Sequence, residues 1–231
     1  SQKKSTIDFE DIMNSGKILI CNFSKGLLGE DVSELFGIAV LAKLQLASLR
    51  RARLNQSERR PFYLYVDEFQ NFATPSFVQL LSEARKYRLF LTIAEQSTSQ
   101  QDDQQMVNVI LANVGTVVCF RTGNPQDERM LLPLFSPFIE QGEISNLPAF
   151  NFYAKLSAVH AQEPLSGQTL LLDSAGSDEV VIAVIEHSRA VFATKHVEPE
   201  EKPAEKKPEP KPTKTKPKRQ ARKRKATKVL G

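Results

Sequence analysis

The sequence has few residues of the types that build metal sites and disulfide frameworks. Among its 231 residues are two cysteines and three histidines, and none of them forms a Cys-x-x-Cys or Cys/His cluster. This spacing gives no support for a zinc or iron site. Cys21 and Cys119 lie far apart inside apolar runs, so we expect both to be buried and reduced.

The sequence also lacks an uninterrupted apolar segment of the roughly 20 residues that a membrane-spanning helix needs. Its first residues, Ser1-Gln2-Lys3-Lys4, lead into no signal-peptide core. We therefore expect a cytoplasmic location. Attachment to the inner face of the cell membrane, through an N-terminal part outside this sequence, stays open.

Charge is distributed unevenly along the chain. Residues 199–231 contain 13 Lys and Arg against 4 Glu, which gives this segment a net charge of +9. Because the formal net charge of the whole chain is +4, residues 1–198 carry −5. The overall positive charge is therefore no evidence for a basic folded surface.

The basic segment 199–231 consists largely of Pro, Lys and Glu. Such a composition buries too little apolar surface to offset the conformational entropy of the chain. We predict a disordered tail over residues 199–231 and one folded domain over residues 1–198.

Residues 1–198 alternate short apolar runs with longer amphipathic segments. This alternation predicts an α/β fold with a mostly parallel sheet and helices on both faces. In such a sheet, ligands bind beyond the carboxyl ends of the strands. The predicted strands are 17–23, 62–66, 89–94 and 115–120, the predicted helices are 31–55, 76–87, 107–111 and 125–138, and peripheral strands are predicted at 150–160, 168–172 and 180–186.

Three of the predicted strands end in polar residues that suit phosphate chemistry. Asp67 and Glu68 follow an apolar run in the Walker B pattern, where the first carboxylate holds Mg²⁺, directly or through water, and the second polarises the attacking water. Gln96 follows the next strand, where an amide orients water or senses the γ-phosphate of ATP. Arg121 ends the fourth strand and has the chemistry of an arginine finger.

Each of these residues also has a simpler interpretation. Asp67 and Glu68 are equally typical of a solvated strand end that caps the next helix. Gln96 also fits the start of a polar loop, and Arg121 fits a surface charge. The joint pattern is more specific than any one member, because a parallel sheet brings the ends of its strands to one edge.

The motifs around these residues resemble those of the HerA/FtsK-like ATPases. Within that group they look most like proteins similar to the conjugative coupling proteins of type IV secretion. The resemblance extends in order over about residues 7 to 160. It is carried by residues 9–19, 24–26, 60–72, 82–87 and 113–116, by Gln96, and by Phe120 with Arg121.

This resemblance implies a RecA-like P-loop NTPase core of the ASCE type that uses ATP and Mg²⁺. It also implies a hexameric ring that moves DNA through its pore, with secretion or conjugation components as further partners. Asp67 and Glu68 match the Walker B residues of the family, and Gln96 matches its sensor glutamine. Arg121 matches the arginine thought to act across a subunit boundary.

One motif of that family is missing from the sequence. The pattern G-x-x-x-x-G-K-[ST] occurs nowhere, and the nearest segments, 15–18 and 24–26, lack its spacing and its magnesium-binding hydroxyl. We therefore expect the chain to be the C-terminal part of a longer ATPase and to be inactive by itself. The alternatives are a naturally split or inactive protein, and a non-catalytic nucleic-acid-binding or scaffold subunit with the same fold.

Two groups of cations are candidates for contact with DNA. Arg85, Lys86 and Arg88 end a predicted helix, where they equally well stabilise the negative end of the helix dipole. The tail cations would bind polyanions without sequence preference, although a solubilising role explains them equally well. The candidates in the tail are Lys218, Arg219, Arg222, Lys223, Arg224 and Lys225.

Overall fold

The computed structural model describes residues 6–98, 104–157, 162–172 and 176–193. Its helices are α1 (Phe9–Ser15), α2 (Lys25–Leu28), α3 (Glu30–Arg50), α4 (Pro75–Leu81), α5 (Gln104–Asn113), α6 (Pro125–Phe135) and α7 (Asp178–Phe192). Its strands are β1 (Phe62–Val66), β2 (Leu89–Ile93), β3 (Thr116–Phe120), β4 (Asn151–Leu156) and β5 (Leu165–Gln168). The predicted tail and its DNA-contact candidates lie outside the described residues.

Helix α3 is the longest helix described and supports the first part of the fold. It starts after Gly29, whose φ of 82° favours glycine, and its first turn carries acidic side chains that suit the positive end of the helix dipole. Leu41, Leu44 and Ala47 are buried at helical spacing. The predicted helix 31–55 is thus confirmed in its main part, but it ends at Arg50 and continues as a single turn of 3-10 helix.

A buried arginine, Arg51, joins three segments at the end of α3. Its guanidinium donates to the carbonyl oxygens of Met13 at 2.7 Å and Tyr87 at 3.0 Å, and its Nε donates to Oδ1 of Asn14 at 3.0 Å. Burial of the guanidinium away from water lowers the pKa of Arg51, and the positive charge of Arg59 makes a smaller contribution in the same direction. These hydrogen bonds satisfy a charged group that would otherwise be costly to bury.

The larger hydrophobic core lies between α3, α4, α5 and the strands β1 and β2. Its most deeply buried side chains are Met13, Phe69, Phe77 and Leu89. A smaller core beside β3, β4 and α6 contains Cys119, Phe135 and Ile144. The two cores correspond to two sheets.

Strands β1 and β2 pair in parallel, with Val66 opposite Ile93, as the alternation of strands and helices predicts. Strand β3 instead pairs antiparallel with β4, and β4 pairs antiparallel with β5. The α/β class and one parallel pair are therefore confirmed, but placing β3 in that same parallel sheet was wrong. The physical reason is that β4 satisfies the backbone groups of β3 along one edge, while no strand among the described residues bridges β2 and β3.

The first predicted strand, 17–23, does not form. These residues adopt no regular secondary structure, and Ile18 and Ile20 are 90% and 80% exposed. Cys21 is also exposed, contrary to the prediction, whereas Cys119 is buried as predicted. A strand needs a ladder partner, and within the described part of the chain no strand pairs with residues 17–23.

The predicted peripheral strands agree only in part with the strands of the structure. Strand β4 lies within the predicted range 150–160, whose last three residues are outside the described chain, but β5 ends at Gln168, where a strand was predicted to begin. Residues 180–186 form part of α7 and are no strand. Their β-branched composition resembles that of a strand, but Ser177 caps the segment by accepting a hydrogen bond from the backbone N–H of Val180, which favours a helix.

By length and composition, the helical segment Glu30–Arg53 is apolar enough to cross a membrane. This differs from the prediction that no apolar stretch approaches the length needed to span a bilayer. A third of the most apolar window is buried inside the protein, and Leu41 and Leu44 belong to the larger core. A core helix meets the same criteria.

Candidate active site

The carboxyl end of β1 carries the acidic pair Asp67 and Glu68. The backbone ladder continues past the strand end, since Ala94 N–H donates to the carbonyl of Val66 at 2.9 Å and Phe69 N–H donates to the carbonyl of Ala94 at 3.0 Å. Phe69 is fully buried. Because Phe69 is fixed in this way, the chain turns sharply after the strand. Asp67 and Glu68 therefore lie between β1 and Phe69, at the edge of the sheet.

Glu68 occupies an unusual backbone conformation at this turn. Its φ of 50° and ψ of 45° lie in the left-handed region, which costs a residue with a Cβ about 1 kcal/mol or more. The hydrogen bonds of Phe69 and its buried ring hold this conformation in place. Such strain is typical of functional positions.

Two glutamine side chains hold the carboxylate of Glu68. Nε2 of Gln96 donates to Oε1 of Glu68, and Nε2 of Gln70 donates to its Oε2. Oδ1 of Asp67 accepts a hydrogen bond from the backbone N–H of Glu68 at 3.0 Å. The structure thus brings together Asp67, Glu68 and Gln96, three of the residues that the sequence singled out.

The contact between Glu68 and Gln96 follows from the pairing of β1 with β2. Because Val66 lies opposite Ile93 in a parallel ladder, the residues after both strands emerge at the same edge. The sequence predicted this convergence correctly. Gln70 lies within the motif 60–72, but nothing in its sequence context indicated that it would hold Glu68.

Lys25 is a further charged residue of the site that the sequence did not identify. Its Nζ donates to Oε1 of Glu30 at 2.7 Å and to Oδ1 of Asn71 at 3.1 Å. The hydrogen bond with Glu30 raises the pKa of Lys25, and the negative charges of Glu30, Glu34 and Glu68 act in the same direction. The signal available in the sequence was the triplet 24–26, whose spacing does not match a phosphate-binding loop.

The acidic pair, Gln96 and Lys25 line part of a cleft of about 1430 Å³. Its other walls are largely apolar and come from residues 17–23, from α3 and from the exposed face of β1. The cleft is larger than the 300–1,000 Å³ usual for a small-molecule site. Its lining includes Ile18, Ile20, Val40, Leu41, Tyr63 and Tyr65 on the apolar side, and Lys25, Asp67, Glu68, Asn71 and Gln96 on the polar side.

Arg121 is not part of this cluster. It is exposed and follows β3, which belongs to the antiparallel sheet. The prediction of one shared strand edge is therefore wrong for Arg121, since that prediction required β3 to continue the sheet of β1 and β2. No hydrogen bond or ion pair between Arg121 and Glu68 or Gln96 occurs in the described residues.

Arg85, Lys86 and Arg88 lie at the opposite end of the sheet from the acidic pair, because they precede β2. They belong to a turn of 3-10 helix and its cap, and the predicted helix 76–87 is thus broken after Leu81. Arg88 has a φ of 56°, and its carbonyl accepts a hydrogen bond from the backbone N–H of Phe62 at 2.9 Å. Arg85 and Lys86 have exposed side chains.

A match to a family model covers residues 61–131, and the model is described as the TraM recognition site of TraD and TraG. This segment contains the acidic pair, Gln96 and Arg121. No curated protein sequence matches the chain significantly.

Two solved structures of the plasmid coupling protein TrwB share the fold. The bacterial conjugative coupling protein TrwBdeltaN70, in an unbound form, has a TM-score of 0.50 and 20% sequence identity, over 58% of this chain and 37% of that chain. TrwB in complex with ADP and Mg²⁺ has a TM-score of 0.50 and 20% identity, over 64% of this chain and 38% of that chain. The chain therefore matches less than two-fifths of the length of these two proteins. Together, the family model and the two structures confirm the predicted resemblance to the C-terminal part of the type IV coupling-protein-like ATPases.

Proposed function

We propose that the chain is the C-terminal portion of an ATP-driven DNA translocase similar to the type IV secretion coupling proteins. The observation that carries this proposal is the cluster at the carboxyl ends of β1 and β2. There the carboxylate of Glu68 is held by Gln96 and Gln70 next to an exposed Asp67. A carboxylate in a fixed position beside a solvent-exposed one suits hydrolysis assisted by a metal ion.

The residues of the cluster divide the chemistry of phosphoryl transfer. Mg²⁺, when bound with ATP, would neutralise charge that develops on the transferred phosphoryl group. Asp67, whose carboxylate is exposed, would hold that ion, directly or through water. Glu68 would orient and polarise the attacking water, and Gln96 would fix Glu68 and sense the nucleotide. The ADP and Mg²⁺ named for the TrwB complex support this choice of cofactors.

The phosphate-binding loop would come from a segment of the parent protein outside these 231 residues. Two observations on the described residues support this. The pair β1–β2 and the outer edge of β3 have no further strand partner, and the apolar wall of the cleft is uncovered. An added strand would satisfy these backbone groups and bury the apolar side chains, and would join the two sheets.

Arg121 would act on the nucleotide of a neighbouring subunit in a hexameric ring. Its exposed position, away from Glu68 of its own chain, suits a role in trans. DNA would contact Arg85, Lys86 and Arg88 and the tail cations. Because the family model is described as a TraM recognition site, residues 61–131 would also include a surface for a component of the conjugation machinery.

A non-catalytic scaffold or nucleic-acid-binding subunit is the second candidate function. The missing phosphate-binding motif favours it, since that motif provides the main affinity for the β- and γ-phosphates. The upstream coding sequence separates the two candidates. An in-frame G-x-x-x-x-G-K-[ST] supports the motor, and its absence supports the scaffold.

The function is tested by ATP hydrolysis in the full-length parent with Glu68→Gln. We expect nucleotide binding to persist while turnover falls by about two orders of magnitude or more. The matched control is Glu58→Gln, which changes an exposed carboxylate outside the cluster. Normal turnover of the Glu68→Gln protein would remove the basis for the proposal.

A further inference from the structure

A buried carboxylate, Asp127, lies outside the cluster that the sequence identified. It is 3% exposed and occupies the first turn of α6. Its Oδ2 accepts a hydrogen bond from Oγ of Ser97 at 2.8 Å, and its Oδ1 accepts one from Oγ1 of Thr98 at 2.6 Å. Both carboxylate oxygens are thus engaged by consecutive residues of one loop.

The surroundings of Asp127 compensate for burying its charge. The two hydroxyl groups donate to it, and the first turn of α6 places it at the positive end of the helix dipole. Asn124 caps the same turn by accepting a hydrogen bond from the backbone N–H of Gln126 at 2.9 Å. A buried carboxylate held at both oxygens fixes the groups that bind it, because breaking either hydrogen bond leaves a buried charge less satisfied.

The loop residues that Asp127 holds come directly after Gln96, whose amide donates to Glu68. On the other side, only residues 122–124 separate α6 from Arg121. Asp127 therefore links the segment that carries Arg121 to the segment that carries Gln96. Within the described chain, this link also joins the antiparallel part of the fold to the parallel strand pair.

We propose that Asp127 is a positioning residue that fixes the amide of Gln96 against Glu68 by holding Ser97 and Thr98. This inference rests on the proposed function, since it assigns Asp127 a role in the same hydrolytic site. Asp127 does not itself touch the carboxylate of Glu68. Its effect passes through the backbone of residues 96–98, and it makes the geometry of Gln96 depend on the placement of α6.

The neighbouring residue provides a matched control. Glu128 is also buried in the first turn of α6, but it accepts hydrogen bonds from the backbone N–H of Gly142 at 2.5 Å and from Oγ of Ser145. It holds the segment that follows α6 and has no described contact with residues 96–98. Glu128→Ala therefore removes a buried carboxylate of the same helix without releasing the loop of Gln96.

Hydrogen exchange in the 231-residue chain tests the positioning directly, without ATP. We expect Asp127→Ala to accelerate amide exchange over residues 94–98 and 67–71 by about tenfold or more. Glu128→Ala should accelerate exchange over residues 140–147 instead. Unchanged exchange at residues 94–98 in a folded Asp127→Ala chain would overturn the proposal. If Asp127→Ala does not fold, the double variant Ser97→Ala/Thr98→Val removes the same hydrogen bonds. Its amide exchange at residues 94–98 then tests the proposal in the same way.

A double-mutant cycle in the full-length parent tests whether the effect reaches the chemistry. Asp127→Ala should lower kcat by about tenfold or more, with KM for ATP changed less than about twofold. When Asp127→Ala is combined with Gln96→Ala, kcat should fall no further than in the single variants. The reductions in kcat caused by Glu128→Ala and Gln96→Ala should instead multiply. Multiplying effects of Asp127→Ala and Gln96→Ala would overturn the proposal. A parent without ATPase activity would contradict the proposed function instead, and hydrogen exchange would still decide the role of Asp127.

Discussion

Gln96 donates a hydrogen bond from its side-chain amide to the carboxylate of Glu68, across the carboxyl ends of two parallel strands. Asp67, which directly precedes Glu68 in the sequence, has an exposed side chain. The two acidic residues therefore differ in their environment, although they are adjacent in sequence. Different substitutions of this pair should have different effects.

Asp67→Asn in the full-length parent should weaken Mg²⁺-dependent nucleotide binding as well as turnover, because it removes a metal ligand. Glu68→Gln should leave binding nearly unchanged. Titration of a fluorescent nucleotide with and without Mg²⁺ measures the difference. Equal Mg²⁺ dependence in the Asp67→Asn and wild-type proteins would contradict the assignment of the metal ligand.

Arg121→Ala should abolish hydrolysis in the assembled ring while a separate subunit still binds nucleotide, because its proposed target lies on a neighbouring subunit. Mixed rings of Arg121→Ala and Glu68→Gln subunits should regain some activity. In such rings, an intact Glu68 and an intact Arg121 meet at some interfaces.

The control for this experiment is a ring that combines Arg121→Ala with wild-type subunits at the same ratio. Mass analysis must show that the rings are mixed. Absence of any recovered activity in mixed rings, once obligatory coordination around the ring is excluded by the control, would argue against an arginine acting in trans.

The 231-residue chain by itself should not hydrolyse ATP, because it has no phosphate-binding loop. A phosphate-release assay on the purified chain, with and without DNA, measures this. The Glu68→Gln chain is the control for contaminating ATPases. Turnover that requires DNA and disappears with Glu68→Gln would show that the nucleotide site is complete in this chain.

Removal of residues 199–231 should weaken non-specific DNA binding and flatten its dependence on salt, because this segment carries a net charge of +9 against −5 for the rest. Binding isotherms at several salt concentrations give the slope. A variant with the tail residues in scrambled order should bind like the wild type, because this contact needs no sequence. An unchanged slope after truncation would exclude the tail as the DNA-binding arm.

Cys119 should resist alkylation in the folded chain, because burial, with smaller contributions from Asp127 and Glu128, raises the pKa of its thiol to about 11. At pH 8 almost none of it is the reactive thiolate. Cys21 is exposed and should react first. Mass analysis after iodoacetamide treatment, with Cys21→Ser as the single-thiol control, measures both rates, and equal rates at pH 8 would contradict the burial of Cys119.

The sequence determined the local elements that depend on near neighbours. Strand β1 follows from an apolar run before an acidic pair, and α3 forms within the predicted helix 31–55, where Leu41, Leu44 and Ala47 are buried at helical spacing. The proximity of Glu68 and Gln96 was also predictable, since a strand, a helix and a second strand produce a parallel pair whose ends coincide. These features depend on periodicity and on connection lengths, which a sequence displays.

Tertiary structure decided the features that depend on which distant segments meet. Residues 17–23 are rich in apolar residues, as β1 is, yet they form no strand, because a strand requires a partner for its backbone groups. Strand β3 is separate from the parallel pair because no strand among the described residues connects it to β1 or β2, and Arg121 therefore does not share an edge with Glu68. The hold of Asp127 on Ser97 and Thr98 joins residues about 30 positions apart through two hydroxyl groups that have no periodic signature. Sequence patterns thus determined β1, α3 and the edge of the sheet at which Glu68 lies close to Gln96. Pairing and hydrogen bonds between distant segments, which no local pattern encodes, decided that Arg121 lies apart from this edge and that Asp127 binds Ser97 and Thr98.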